Sequence, residues 1–267
     1  MILIIGFFLA LLVGVTLGLV GSGGSILTVP ILITVFGISP QTSFVYSLFI
    51  VGVTAVFGAI RGIKEKNVEF RIALSFGVTS IITVYLTRIF VVPYLPQILF
   101  EFKNYKLTKD IYLLLLFAIL MLMASISMIR TKNTLVDKHE NWLINNKRII
   151  FVFAGICVGI ITGLVGAGGG FLIVPVLFLI GKLPMNRAVA TSLIIISMNS
   201  IVGFLSNFQL KMTIDWQLLL TFTAFTISGI ILGIFLAKKI NGPKLKKGFG
   251  WFVLVLGIYI IISSLFH

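Results

Sequence analysis

The chain has 267 residues, of which 59% are hydrophobic and only 10% charged, and its formal net charge is +14. A soluble domain carries about 25% charged residues to face water, so this composition excludes a water-soluble globule. The Lys and Arg residues sit almost entirely in short connections between apolar runs, which fits retention on one side of a membrane and not a nucleic-acid surface.

Read from the start, no ionisable side chain occurs between Met1 and Ile60. That run is about three times the roughly 20 residues needed to cross a bilayer. It has no basic n-region, so it does not read as a signal peptide. Apolar segments follow one another at 2–20, 25–36, 42–60, 72–91, 111–129, 149–165, 170–181, 188–205, 216–237 and 248–266. Lipid offers no partner to free backbone groups, which leaves helices and closed barrels. Barrel strands alternate apolar and polar residues, whereas these runs are continuously apolar. The expected fold is therefore an all-α integral membrane protein with 8 to 10 membrane segments. Segments 25–36 and 170–181 are too short to cross, at about 18 Å against a hydrocarbon core of about 30 Å. They read as half-helices, each following a glycine-rich break.

The chain repeats itself. Gly18-Leu-Val-Gly-Ser-Gly-Gly-Ser-Ile-Leu-Thr-Val-Pro30 aligns with Gly163-Leu-Val-Gly-Ala-Gly-Gly-Gly-Phe-Leu-Ile-Val-Pro175, with nine of 13 positions identical. Further on, Ser47-Leu48 matches Ser192-Leu193, and Gly58 matches Gly203. Two membrane repeats are expected, 1–129 and 149–267, joined by the polar linker 130–148. If each half-helix turns the chain back, each half makes five passes. Connections 61–71, 130–148, 182–187 and 238–247 then share a side holding 16 Lys and Arg against 5 opposite. With four passes per half the split is 10 to 11. The positive-inside rule favours five passes, inverted repeats and both termini outside.

Inverted repeats with broken helices hold substrate where the breaks meet. The motifs Gly21, Ser22, Gly23, Gly24, Ser25 and Gly166, Ala167, Gly168, Gly169, Gly170 fit this role. Their glycines allow positive φ and expose N–H groups, and the helix starting after them has unpaired amides that suit an anion. Pro30 and Pro175 fall within two turns, where a missing N–H is expected to cost little. Close packing is the bland alternative for such glycines. Its weight is reduced by the duplication. Side chains expected to complete the site are Thr191, Ser192, Asn199 and Ser200, with Ser47 and Thr54 as first-half equivalents. Ser192 and Asn199 are seven residues apart, on one helical face. Asn207 and Gln209 read as solvated and Phe171 as a packing or lipid-facing residue, while Arg61, Arg88 and Arg187 at segment ends read first as interfacial anchors and second as charges that steer anions toward the pore. One cysteine, Cys157, and two histidines, His139 and His267, offer no metal cluster, and no cofactor is expected. All seven acids lie in loops or at segment ends, so no intramembrane proton-relay carboxylate is expected.

The stretch Gly163–Leu177, then Ala190-Thr-Ser-Leu193 and Asn199-Ser200, together with Gly21–Pro30, resembles the TauE/SafE sulfite exporter family. The resemblance spans essentially the whole chain. It implies a transporter of small sulfur-containing anions (sulfite, thiosulfate or an organosulfonate), with export as the expected direction, in the plasma membrane, with the lipid bilayer as surroundings and a monomer or a homo-oligomer both compatible with it. Two departures between the halves, Ser25 against Gly170 and Thr54-Ala55 against Asn199-Ser200, leave the anion undefined. The competing readings are a membrane enzyme, which would need an acid–base pair or metal in the apolar core, and a non-transporting membrane subunit.

Overall fold

A computed structural model describes residues 2–21, 23–102, 105–130, 147–166, 168–207, 214–237 and 242–265. The linker residues 131–146, together with His139, Gln209, Lys211 and His267, lie outside the described residues. Ten α-helices occur among those described: α1 Ile2–Val20, α2 Gly23–Thr34, α3 Pro40–Lys64, α4 Phe70–Leu86, α5 Lys109–Arg130, α6 Lys147–Val165, α7 Gly170–Leu179, α8 Met185–Leu205, α9 Trp216–Ala237 and α10 Gly242–Leu265. Each apolar run of the sequence falls on one of them. The local signals are ordinary. Ser39 caps α3 by accepting from the Thr42 amide, with Pro40 at the first helical position. Lys66 leaves the helix with a positive φ of 56°.

Two features depart from an unbroken all-α reading. A five-residue π-turn, Thr87–Val91, extends α4. After it, Ile98–Phe102 pairs antiparallel with Tyr105–Thr108 in a small hairpin. From Phe100 to Lys103 and from Tyr105 to Thr108 the hairpin sequence alternates apolar and polar residues, the period of a strand, but it lies between the apolar runs. A further correction concerns the prolines. Pro30 is the eighth residue of α2 and Pro175 the sixth of α7. Both lie beyond the four free amides of a helix start, so each removes an intrahelical bond.

Among the described residues, five helices are long and apolar enough to cross a membrane: Pro40–Lys64, Phe70–Val91, Lys109–Ile126, Met185–Leu205 and Trp216–Ala237. Shorter apolar helices are Ile5–Val20, Ile149–Val165 and Val253–Ser263. Large apolar side chains such as Phe8, Leu74, Ile149, Phe153 and Trp251 are exposed on them, as lipid contact requires and water does not tolerate at this scale. The half-helices sit inside. Ile26, Val29 and Leu32 of α2 and Ile173 and Leu177 of α7 are fully buried, and α2 and α7 touch each other. Irregular backbone at membrane depth is tolerated only under such protein cover.

Glycine contacts fix the directions of the long helices. Along α3 and α8, Gly62 faces Ala190, Gly58 faces Leu193, Gly52 faces Ser200, and Leu48 faces Gly203. Residue numbers rise on one helix as they fall on the other, so these two repeat-equivalent helices run antiparallel. On α1, Gly14 lies against Thr226 and Gly18 against Ile230 and Gly233 of α9. On α6, Gly159 lies against Ser80 and Gly163 against Val84 and Thr87. Each pair runs parallel, and each is the counterpart of the other. Such close backbone approach needs residues without a side chain.

Candidate functional site

The second glycine motif forms a turn with three left-handed residues. The Gly166 amide closes α6 on the Thr162 carbonyl at 2.8 Å. The chain then takes φ of 66° at Gly166, 68° at Gly168 and 66° at Gly169, conformations that side-chain-bearing residues adopt only at a cost. Gly169 caps α7, and its carbonyl accepts from Leu172 and Ile173 at 3.0 and 3.1 Å. Space is as restrictive as conformation. A Cβ on Gly166 would meet Arg88 and Phe44, one on Gly168 would meet the Ser200 hydroxyl and Val51, and one on Gly169 would meet Thr162. The first-half counterpart, Gly21, has φ of 73° and lies against Val189 and Ser192.

Not every motif glycine serves this purpose. Gly23, Gly24 and Gly170 lie at the starts of their helices, and none has a positive φ. A Cβ on Gly24 would strike the Val13 carbonyl and Leu17, so that glycine lets α2 pack on α1. Ser25 falls in the first turn of α2, and Ser22 and Ala167 lie outside the described residues.

The polar residues singled out on α3 and α8 are buried, and three of them, Thr54, Thr191 and Asn199, bridge the two halves. The hydroxyl of Thr54 bonds that of Thr226 at 2.7 Å, while Ser80 donates to Asn199 at 3.0 Å. Thr54 and Asn199 are repeat equivalents, and by the glycine contacts so are Thr226 and Ser80. A second pair follows the same exchange. The Glu69 amide donates to Thr191 at 3.0 Å, and the Asp215 amide donates to Tyr46 at 2.6 Å. Ser192 is satisfied locally, on the Val189 carbonyl at 2.8 Å. Other atoms are not satisfied by protein. Of eight buried side-chain polar atoms without a partner among the described residues, six belong to Ser47, Arg88, Thr162, Asn199 and Ser200. Arg88, Thr162 and Ser200 all border the second turn.

Arg88 and Asn207 correct the sequence reading. Arg88 is 7% exposed and Asn207 6%, so the first is no snorkelling anchor and the second is not solvated. Nη1 of Arg88 donates to Asn207 Oδ1 at 3.1 Å, and Asn207 donates to the Gly203 carbonyl. Phe171 is buried and packs against Phe117. Arg61 pairs with Glu65 at 3.0 Å and covers the Phe235 ring. Arg187 pairs with Glu69 between the halves. Both partners are about a third or more exposed, and such pairs contribute about 0–1 kcal/mol. Arg187→Ala is therefore expected to shift the thermal midpoint in detergent by no more than a few degrees. No cluster of three or more His, Cys, Asp or Glu occurs among the described residues.

The family model described as "Sulfite exporter TauE/SafE" matches residues 6–260. A "Probable membrane transporter protein" of Xylella fastidiosa is 29% identical over 256 residues, covering 95% of this chain and 92% of the relative. One from Methanocaldococcus jannaschii is 29% identical over 211 residues, covering 77% and 71%. Another, from Bacillus subtilis, is 25% identical over 275 residues, covering 97% of each. No solved structure matches.

Proposed function

The chain belongs to the sulfite exporter TauE/SafE family of membrane transporters, and on that premise we propose that it carries small sulfur-containing anions out of the cell across the plasma membrane. The observation that carries this reading is the pair of buried half-helices that touch each other, the second headed by consecutive left-handed glycines. Amides at a helix start, backed by the helix dipole, hold an anion without a charged side chain or a metal. Around the second turn the hydroxyls of Thr162 and Ser200 add unpaired donors. In our reading the substrate passes between the halves near the Thr54 and Asn199 bridges.

We read the two halves as inverted repeats with five passes each. The antiparallel run of α3 on α8 supports it, because an even number of passes would make equivalent helices parallel. A reporter fused after residue 267 should be found outside the cell, and a cytoplasmic reporter would refute the arrangement. The driving force needs no proton relay. An interior negative by 100 mV favours outward movement of a monoanion by about 2.3 kcal/mol. Purified protein in proteoliposomes is expected to move sulfite, thiosulfate or methanesulfonate in response to voltage. Failure to bind any of these, with sulfate and chloride also silent, removes the proposal. Flux that follows a proton gradient and ignores voltage overturns the mechanism alone.

A further inference from the structure

We propose that Arg88 is the charged anchor of the anion site at the second glycine turn, holding one oxyanion side-on through Nε and Nη2. This deepens the transport reading and rests on it. A guanidinium this deeply buried is ordinarily paired, because an uncompensated charge away from water is costly. Here only Nη1 has a partner, Asn207, while Nε and Nη2 have none. No carboxylate among the described residues lies within ion-pair distance of Arg88. Asp110 is within electrostatic reach of Lys109, which also feels Arg88.

The two free nitrogens are not a random pair. Nε and Nη2 lie on the same edge of the guanidinium plane and present two parallel N–H bonds. That edge matches two oxygens on one central atom, the geometry of sulfite, sulfonate or phosphate. Nη2 lies close to Gly166, where any Cβ would collide with it, so the glycine permits this approach. The hydroxyls of Ser200 at Gly168 and Thr162 at Gly169 extend the donor set along the turn. Arg88 itself sits in the π-turn that extends α4, the kind of local unwinding found at functional positions.

The first half has no counterpart. Gly163 contacts Val84 and Thr87, and Gly18 contacts Ile230, Gly233 and Ile234 in the equivalent places. The residue standing where Arg88 stands is therefore Ile234. Gly21 meets Val189 and Ser192 instead of a guanidinium. One charged site per chain follows, not two.

The test is binding of sulfite, methanesulfonate and chloride to the purified full-length chain in phosphatidylcholine nanodiscs. Wild type is expected to bind one oxyanion per chain. Arg88→Lys keeps the charge but loses the edge, and should weaken oxyanion binding at least tenfold with a smaller change for chloride. Asn207→Asp leaves Arg88 in place but neutralises it, and should weaken binding by a similar factor. This variant decides the matter if Arg88 variants fail to fold. Adding phosphatidylglycerol separates the sources of the oxyanion. Competition that disappears in Arg88→Lys assigns the edge to a lipid phosphate, and no competition assigns it to the soluble anion. Folded, monodisperse Arg88→Lys and Asn207→Asp proteins that bind oxyanions as wild type does overturn the assignment and leave the transport reading intact. A wild type that binds no anion sinks the transport reading itself.

Discussion

Gly168→Val is expected to lower transport of the proposed anion substrate at least tenfold per folded molecule. Gly168 has φ of 68°, and a left-handed backbone costs a residue with a Cβ about 1–2 kcal/mol. That cost alone is modest. The larger effect is steric, because the added carbons fall on the Ser200 hydroxyl and Val51, and valine's branched Cβ has few rotamers with which to escape. Gly37 separates the two effects. It has φ of 65°, but nothing lies within 4 Å of where its Cβ would stand, so Gly37→Ala carries the strain without the collision. Gly37→Ala should lower the thermal midpoint slightly and transport normally, while Gly168→Ala should transport poorly at a similar midpoint. Flux in proteoliposomes, normalised to protein that elutes as a single species, makes the comparison. Normal flux in Gly168→Val would mean that the turn serves only packing.

Much of the architecture is legible in the sequence for a simple physical reason. Hydrocarbon requires every spanning backbone to satisfy itself, so charge-free runs map directly onto helices. The repeat at 18–30 and 163–175 is equally visible because its glycines admit few substitutes. Other features are hidden because they depend on which residues the fold brings together. The bridges Thr54–Thr226 and Ser80–Asn199 join segments whose repeat relation is not apparent from the sequences of α4 and α9. The hairpin at 98–108 interleaves apolar with charged and polar residues over strands of five and four residues and carries no membrane signal. Positive φ at Gly166, Gly168 and Gly169, but not at Gly24 or Gly170, is a matter of backbone path that composition does not encode.

Arg88 is legible in the sequence as a charge but not as a buried one. It falls inside the apolar run 72–91 and is followed by Ile-Phe-Val-Val, so it stands as a charge within a membrane segment. An intramembrane ionisable residue is a functional candidate by default. Its nearness to the segment end is equally the mark of an anchor, and the burial of Arg88 and Asn207 together excludes that role.

Gly14→Val and Gly159→Val should have large and nearly equal effects on stability. The two positions are repeat equivalents at the α1–α9 and α4–α6 contacts. A Cβ at Gly14 falls on the Thr226 carbonyl, and one at Gly159 comes within 2.8 Å of the Ser80 carbonyl. Lipid gives no hydrophobic drive to hold helices together, so association depends on this close packing. Overpacking a tight contact costs about 1–3 kcal/mol, and both variants should melt several degrees lower in detergent while the folded fraction keeps its anion affinity. The paired glycines of the turns should behave in the opposite way. Gly166→Ala pushes against the Arg88 guanidinium and should weaken oxyanion binding severalfold, whereas Gly21→Ala meets Val189 and Ser192 and should weaken it much less. Symmetric stability losses with asymmetric binding losses are what the proposed two-fold scaffold with a single charged site predicts. Equal binding losses at Gly21 and Gly166 would show instead that both turns hold an anion alike.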